Sequence, residues 1–173
     1  MNRKILFGAG MVLLTTLFSG CAKDDDVSGE IKDNYLKVKI DGVEKSFPTV
    51  EAHWVEGGNY LTINAMDNGK ESVTITVMNE STRVPAGQYS LDDASAYSIV
   101  SIHNRTSSST QVNSAATRGT QSKDDSFNLK IDKIDNGSFQ GTFSGTLIRV
   151  EGLNTLGKVT LTDGEFKSSI APN

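Results

Sequence analysis

Cysteine occurs once in this sequence of 173 residues, at position 21, and the residues before it define what its thiol can do. Two basic residues open the chain, residues 5–18 form a mostly apolar run, and the small residues Ser19 and Gly20 directly precede Cys21. This is the layout of a secretory signal peptide, and the run is shorter than the ~20 residues that a transmembrane helix needs. Because a lone cysteine cannot form an internal disulfide, its thiol in an exported chain is either free or modified.

The stretch that ends at Cys21, L-F-S-G-C, resembles a bacterial lipobox. In lipoproteins of that kind the cysteine thiol takes a diacylglycerol, the bond between Gly20 and Cys21 is cut, and the new amino group is acylated. The resemblance implies that residues 1–20 are a lipoprotein signal peptide and that Cys21 carries a covalent lipid, with no other cofactor expected. The alternative is an ordinary cleaved signal followed by a chance cysteine.

A lysine and three aspartates follow the cysteine, at Lys23, Asp24, Asp25 and Asp26. This run resembles the export signal of surface-exposed lipoproteins in Bacteroidota. It implies an anchored protein on the outer face of the outer membrane, with residues 21–33 as a flexible acidic tether. The alternative is a plain solvated linker, which acidic runs usually are.

The charge of the chain narrows the class of partner. Removal of residues 1–20 leaves a net charge of −6, which argues against a nucleic acid, because that partner needs a basic patch. It also argues against electrostatic adhesion to anionic lipid. The expected partners are the membrane, through the lipid anchor, and an envelope protein or a glycan.

Candidate catalytic and metal-binding side chains are few. The two histidines, His53 and His103, are expected to face solvent, and the acidic pairs at 92–93 and 124–125 lack the alternating pattern of a calcium loop. Since no nucleophile, base and acid stand out together, we predict no catalytic residues, no metal site and no enzymatic activity. The four tyrosines lie at predicted strand ends, where core-edge packing is favoured over a sugar-binding rim, and Trp54 is expected inside.

The elements that must position these residues are strands. From Asn34 onward apolar and polar residues alternate in short segments, as Y-L-K-V-K-I-D shows, and turn signals such as Asp41-Gly42 separate them. No long window has a helical period. The pattern predicts a single antiparallel β-sandwich or flattened barrel of about 8–10 strands with meander hairpins, over residues 34–173. Residues 104–126 are rich in polar residues and are expected to form a long loop, with an irregular strand near Gln111-Val112.

Glycine recurs at every fourth position in G-S-F-Q-G-T-F-S-G-T-L, at Gly137, Gly141 and Gly145. In a strand these glycines share one face with Phe139, Phe143 and Leu147. A membrane-helix contact needs an apolar segment and a phosphate loop needs a helix start, and neither is present. We therefore predict that the glycines make room for bulky side chains from neighbouring strands.

Three stretches of the sequence resemble a family of small uncharacterised Bacteroidota lipoproteins. Two lie in the C-terminal part of the domain, G-T-F-S-G-T-L and K-V-T-L-T-D-G-E-F, and the third lies in mid-domain, P-A-G-Q-Y-S-L. The likeness covers most of residues 34–167 and implies an all-β domain but no particular activity. The expected function is a membrane-anchored envelope lipoprotein that serves as a non-catalytic binding or assembly module. The alternatives are a glycan-active hydrolase with loop carboxylates and a structural or inhibitory partner of another envelope protein.

Overall fold

The computed structural model describes residues 34–55, 58–91, 95–107, 109–118, 125–151 and 153–171. Within these ranges the chain forms eleven β-strands and no α-helix, which confirms the all-β prediction. The strands are β1 (Tyr35–Ile40), β2 (Val43–Phe47), β3 (Thr49–Val55), β4 (Tyr60–Asp67), β5 (Glu71–Met78), β6 (Gly87–Ser90), β7 (Ser98–Ser107), β8 (Thr110–Ala116), β9 (Phe127–Ile134), β10 (Ser138–Glu151) and β11 (Asn154–Ala171). Residues 1–33, which include the predicted signal peptide, Cys21 and the predicted acidic tether, lie outside the described residues.

The strands form one mixed sheet in the order β2-β1-β11-β3-β4-β5-β7-β8-β10-β9-β6, and β10 also pairs with β11. That extra pairing closes a ring, so the sheet is a flattened barrel. One layer is β2-β1-β11-β10-β9-β6 and the other is β3-β4-β5-β7-β8. The layers join where Ile148 of β10 pairs with Ala115 and where Ile170 of β11 pairs with Ala52. The β11–β3 pairing is parallel, whereas the other described pairings are antiparallel, as predicted.

Alternation in the sequence places one side of each strand in the core. Leu36 and Val38 of β1 are fully buried, whereas Lys37 between them is exposed. Side chains from all eleven strands belong to one hydrophobic cluster, so a single core holds both layers together. The tight turn at Asp41-Gly42 forms as predicted, with φ of 50° and 81°, values that asparagine, aspartate and glycine tolerate best.

The glycines of β10 provide space for aromatic rings. A Cβ atom on Gly141 would lie 2.0 Å from the Lys130 carbonyl oxygen and 2.8 Å from the Phe166 ring. On Gly145 it would lie 2.7 Å from the Phe127 ring. The packing prediction is therefore confirmed for Gly141 and Gly145. A third contact of this kind, Gly164 of β11 against Phe143, was not predicted.

The predicted long loop over residues 104–126 is wrong in its first half. Strand β7 continues to Ser107, and β8 returns from Thr110 to Ala116 beside it. Thr, Asn and Gln side chains occupy outward positions there and hide the strand period, because a segment that buries few apolar residues loses its alternation. The additional strand raises the count to eleven, one above the predicted range.

Candidate ligand pocket at the end of the barrel

A pocket of about 370 Å³ opens at one end of the flattened barrel, and we call it the end pocket. Its walls come from the β1–β2 turn, the start of β5, the facing ends of β7 and β8, and the β10–β11 hairpin. The polar side chains that the site uses are Lys45, Glu71, His103, Arg105, Ser114 and Arg149. Such a position suits a binding site, since ligand pockets often lie in the mouths of β-barrels.

A buried carboxylate lies at the base of the end pocket. Glu71 is 8% exposed and His103 is 6% exposed. The Glu71 carboxylate accepts a hydrogen bond from Lys45 Nζ at 2.9 Å, and its other oxygen lies 2.9 Å from His103 Nε2. Because a carboxylate accepts and cannot donate, the ring donates from Nε2.

These partners decide the charge of Glu71. Burial alone disfavours the carboxylate, but the hydrogen bonds from Lys45 and His103 outweigh it, so the pKa of Glu71 lies below its ordinary value. The group therefore stays ionised at neutral pH. The chain Lys45–Glu71–His103 is a satisfied polar network and fixes the base of the pocket.

The strand register sets a row of polar side chains beside this network. His103 of β7 pairs directly with Ser114 of β8, which is 2% exposed. Arg149 of β10 comes one residue after the Ile148–Ala115 pair, which brings it next to Ser114. Directly opposite Arg149 is Gly157, where an added Cβ would lie 3.7 Å from Arg149 Nη2. The absent side chain at Gly157 leaves the guanidinium room.

Two guanidinium groups of the end pocket lack anionic partners. Within the part of the chain that the structure describes, neither Arg105 nor Arg149 forms an ion pair, and Arg149 Nε is buried without a hydrogen bond. By contrast, Lys158 at the pocket edge is bonded to both carboxylate oxygens of Asp125, at 2.9 and 2.8 Å. The end pocket thus holds unneutralised positive charge.

The expectation that His103 faces solvent is wrong. The His103 ring lies on the inward face of β7 together with Ile99 and Ser101, so it lies in the barrel interior. The sequence reasoning placed His103 at the end of its strand, whereas β7 continues to Ser107. Sequence reasoning also missed Glu71. A signal was present, since Glu71 occupies the same phase as Val73 and Ile75 in an alternating strand. A charged residue at a core position points to a buried partner.

The other predicted positions agree better with the structure. Trp54 is buried, 6% exposed, with the Arg83 guanidinium 4.5 Å from its ring centre. His53 lies half-buried on the opposite face of β3. Tyr89 packs at the core edge against Tyr97 with ring centres 5.1 Å apart, and burial, with a smaller effect of Tyr97, raises the pKa of Tyr89 to about 12.

A larger and more open trough, about 760 Å³, crosses the outer face of β6, β9, β10 and β11. Its two carboxylates already have partners, because Asp163 pairs with Lys39 at 2.8 Å and Glu165 accepts a hydrogen bond from Tyr35. That bond is the main reason why the pKa of Tyr35 rises to about 12. We call this surface the outer trough.

Three further observations bear on function. Among the residues with described positions, no three His, Cys, Asp or Glu side chains gather as a metal site would require. No helix in the same residues is long and apolar enough to cross a membrane. Comparisons with protein-family models, curated proteins and solved structures find no match to this chain.

Proposed function

We propose that this chain is a lipid-anchored lipoprotein of the cell envelope, displayed on the outer face of the outer membrane, whose β domain is a non-catalytic binding module. The anchor rests on the sequence around Cys21 and the display on Lys23 and the three aspartates after it. Each buried methylene contributes about 0.8 kcal/mol, and one acyl chain binds only marginally. Two or three chains on Cys21 would hold the protein at the bilayer without a spanning segment.

The end pocket carries the binding part of the proposal. It combines the hydrogen-bonded network Lys45–Glu71–His103, in which Glu71 and His103 are buried, with two guanidinium groups that have no anionic partner among the described residues. Arg149 Nε is buried without a hydrogen-bond acceptor among the described residues. Because an unsatisfied buried polar group is costly to a fold, its presence in an open pocket favours a ligand that supplies the acceptor.

A glycan hydrolase with loop carboxylates is the main alternative, and the contacts of the two described carboxylates at the outer trough do not favour it. The acidic residues at 92, 93 and 124 lie outside the described residues. The carboxylates that border the outer trough, Asp163 and Glu165, lie on β11 rather than on loops, and both are engaged. Turnover of a glycan panel, lost when one of these acids is changed to its amide, would establish an enzyme instead.

The anchor is tested by metabolic labelling with a palmitate analogue. We expect wild-type protein to be labelled and to sediment with membranes, and Cys21→Ala to lose the label and leave the membrane fraction. Lys37→Ala, a change at an exposed position of β1, is the matched control and should behave as wild type. An unlabelled wild-type protein would contradict the anchor.

The surface position is tested separately, by protease treatment of intact cells. Replacing Lys23, Asp24, Asp25 and Asp26 together with alanine should keep the palmitate label but protect the protein from the protease. Equal digestion of this variant and the wild type would show that the acidic run is only a linker.

A further inference from the structure

The end pocket is cationic in an acidic protein. The whole chain has a formal net charge of −4, yet four Lys or Arg side chains line the pocket against two carboxylates, Asp41 and Glu71. Both carboxylates accept hydrogen bonds, and Glu71 is also paired with a cation. Glu71 binds Lys45 and His103, and Asp41 accepts the backbone N–H of Thr160 at 2.8 Å.

Arg105 and Arg149 are the cations of the pocket that have no ion-pair partner among the described residues, and they stand against one carboxylate without a cation, Asp41. Lys45 is neutralised by Glu71 and Lys158 by Asp125. The buried Nε of Arg149 has no acceptor among the described residues, and the neighbouring hydroxyl of Ser114 also lines the pocket. Guanidinium groups bind carboxylate and phosphate oxygens through paired N–H donors. An oxyanion is the ligand group that this set of donors lacks.

The rest of the wall is aliphatic. The side chains of Ile40, Val43, Val112 and Val159 complete it, and among the residues described no Phe, Tyr or Trp side chain lines it. Val43 is 59% exposed although it is apolar. A neutral sugar, which commonly stacks on an aromatic ring, fits such a wall less well than a hydrocarbon body does.

We infer that the end pocket binds a compact organic carboxylate, with its charged group held by Arg105, Arg149 and Ser114 and its aliphatic body against Val43, Val112 and Val159. This inference rests on the proposed use of the pocket as a binding site. The size agrees, because a pocket of about 370 Å³ lies near the lower end of the range for small-molecule sites.

Three probes that share a six-carbon chain but differ in charge test the inference: hexanoate, hexanamide and hexylamine. The full chain is held in zwitterionic lipid nanodiscs, binding is measured by calorimetry, and empty nanodiscs correct for partition into lipid. We expect hexanoate to bind and hexanamide and hexylamine to bind at least about tenfold more weakly, the loss of roughly one charge-assisted contact. Inorganic phosphate, which lacks the aliphatic body, should also bind more weakly than hexanoate.

Substitutions in the end pocket test whether hexanoate binds there. Arg149→Gln and Arg105→Gln should each weaken hexanoate binding about tenfold, and Gly157→Leu should abolish it by filling the space beside Arg149 without removing charge. Lys130→Gln, in the outer trough, is the matched control and should not change it. Unchanged melting temperatures ensure that a loss reflects the pocket rather than unfolding.

The outcomes separate the inference from the proposed function. If hexanamide or hexylamine binds as tightly as hexanoate and Gly157→Leu blocks it, the pocket is a binding site but the carboxylate inference is wrong. If phosphate binds as tightly as hexanoate, the aliphatic part is wrong. If hexanoate fails to bind, or binds equally to both arginine variants, the inference is overturned, while the labelling of Cys21 still decides the anchor.

Discussion

At the residue scale, Glu71 is the side chain on which the end pocket depends. It is nearly buried and holds both Lys45 and His103. Glu71→Ala would leave the buried His103 without its acceptor, a loss of about 1–3 kcal/mol in the free energy of unfolding. Denaturant unfolding followed by the fluorescence of the single tryptophan, Trp54, measures it. An unchanged midpoint would contradict the network.

The same residue predicts a pH dependence. Because the pKa of Glu71 is lowered in the folded state, its stabilising effect is full above the unfolded value of about 4.3 and is lost as the pH falls through the lower folded value. The stability difference between wild type and Glu71→Gln should therefore be constant near neutral pH and shrink in acid. A difference that grows on acidification would reverse the assigned sign.

At the element scale, the β10–β11 hairpin joins the two layers, and its close packing depends on glycine. We expect Gly141→Val to destabilise the domain by about 3 kcal/mol, the upper part of the overpacking range, because the added carbon meets the backbone of Lys130. Gly157→Ala is the matched control, since its Cβ would make only an ordinary contact with Arg149. Equal melting temperatures for both variants would show that the packing around Gly141 is not tight.

Most of the elements were predictable from the sequence, and the exceptions have physical causes. In β1, β4 and β5, the strands of Leu36, Ile63 and Ile75, apolar and polar residues alternate regularly because one face of each strand is buried and the other faces outward. Strand β8 was expected only as an irregular strand near Gln111-Val112 within a loop, and its full extent was not predicted because few of its side chains are apolar. In β11 the bulge at Asp163, with φ of 52°, interrupts the pairing, and local sequence does not fix such register shifts.

The end pocket was harder to predict than the fold. Its residues come from strands far apart in the sequence, so that Lys45 and Glu71, for instance, meet only after the barrel closes. The sequence signal was limited to Glu71 in an inward phase. Arg105 lies directly across from Glu71 in the β5–β7 register but forms no ion pair with it, and Glu71 is bonded to Lys45 and His103 instead. Sequence spacing does not show which of these cations the carboxylate takes.

At the scale of the whole molecule, one hydrophobic cluster includes side chains from every strand. Neither layer has a separate core, so we expect a single cooperative unfolding transition. Trp54 fluorescence and far-ultraviolet circular dichroism should then give coincident curves. Two separated transitions would show that the layers unfold independently.

The central claim for the whole molecule is that a folded β domain is held at a membrane by lipid on Cys21. The most direct measurement is the intact mass of the protein extracted from membranes, with fragmentation of its N-terminal peptide. The proposal predicts a chain that starts at Cys21 and carries diacylglycerol on sulfur. A chain that retains residues 1–20, or that carries an unmodified thiol at Cys21, would contradict it.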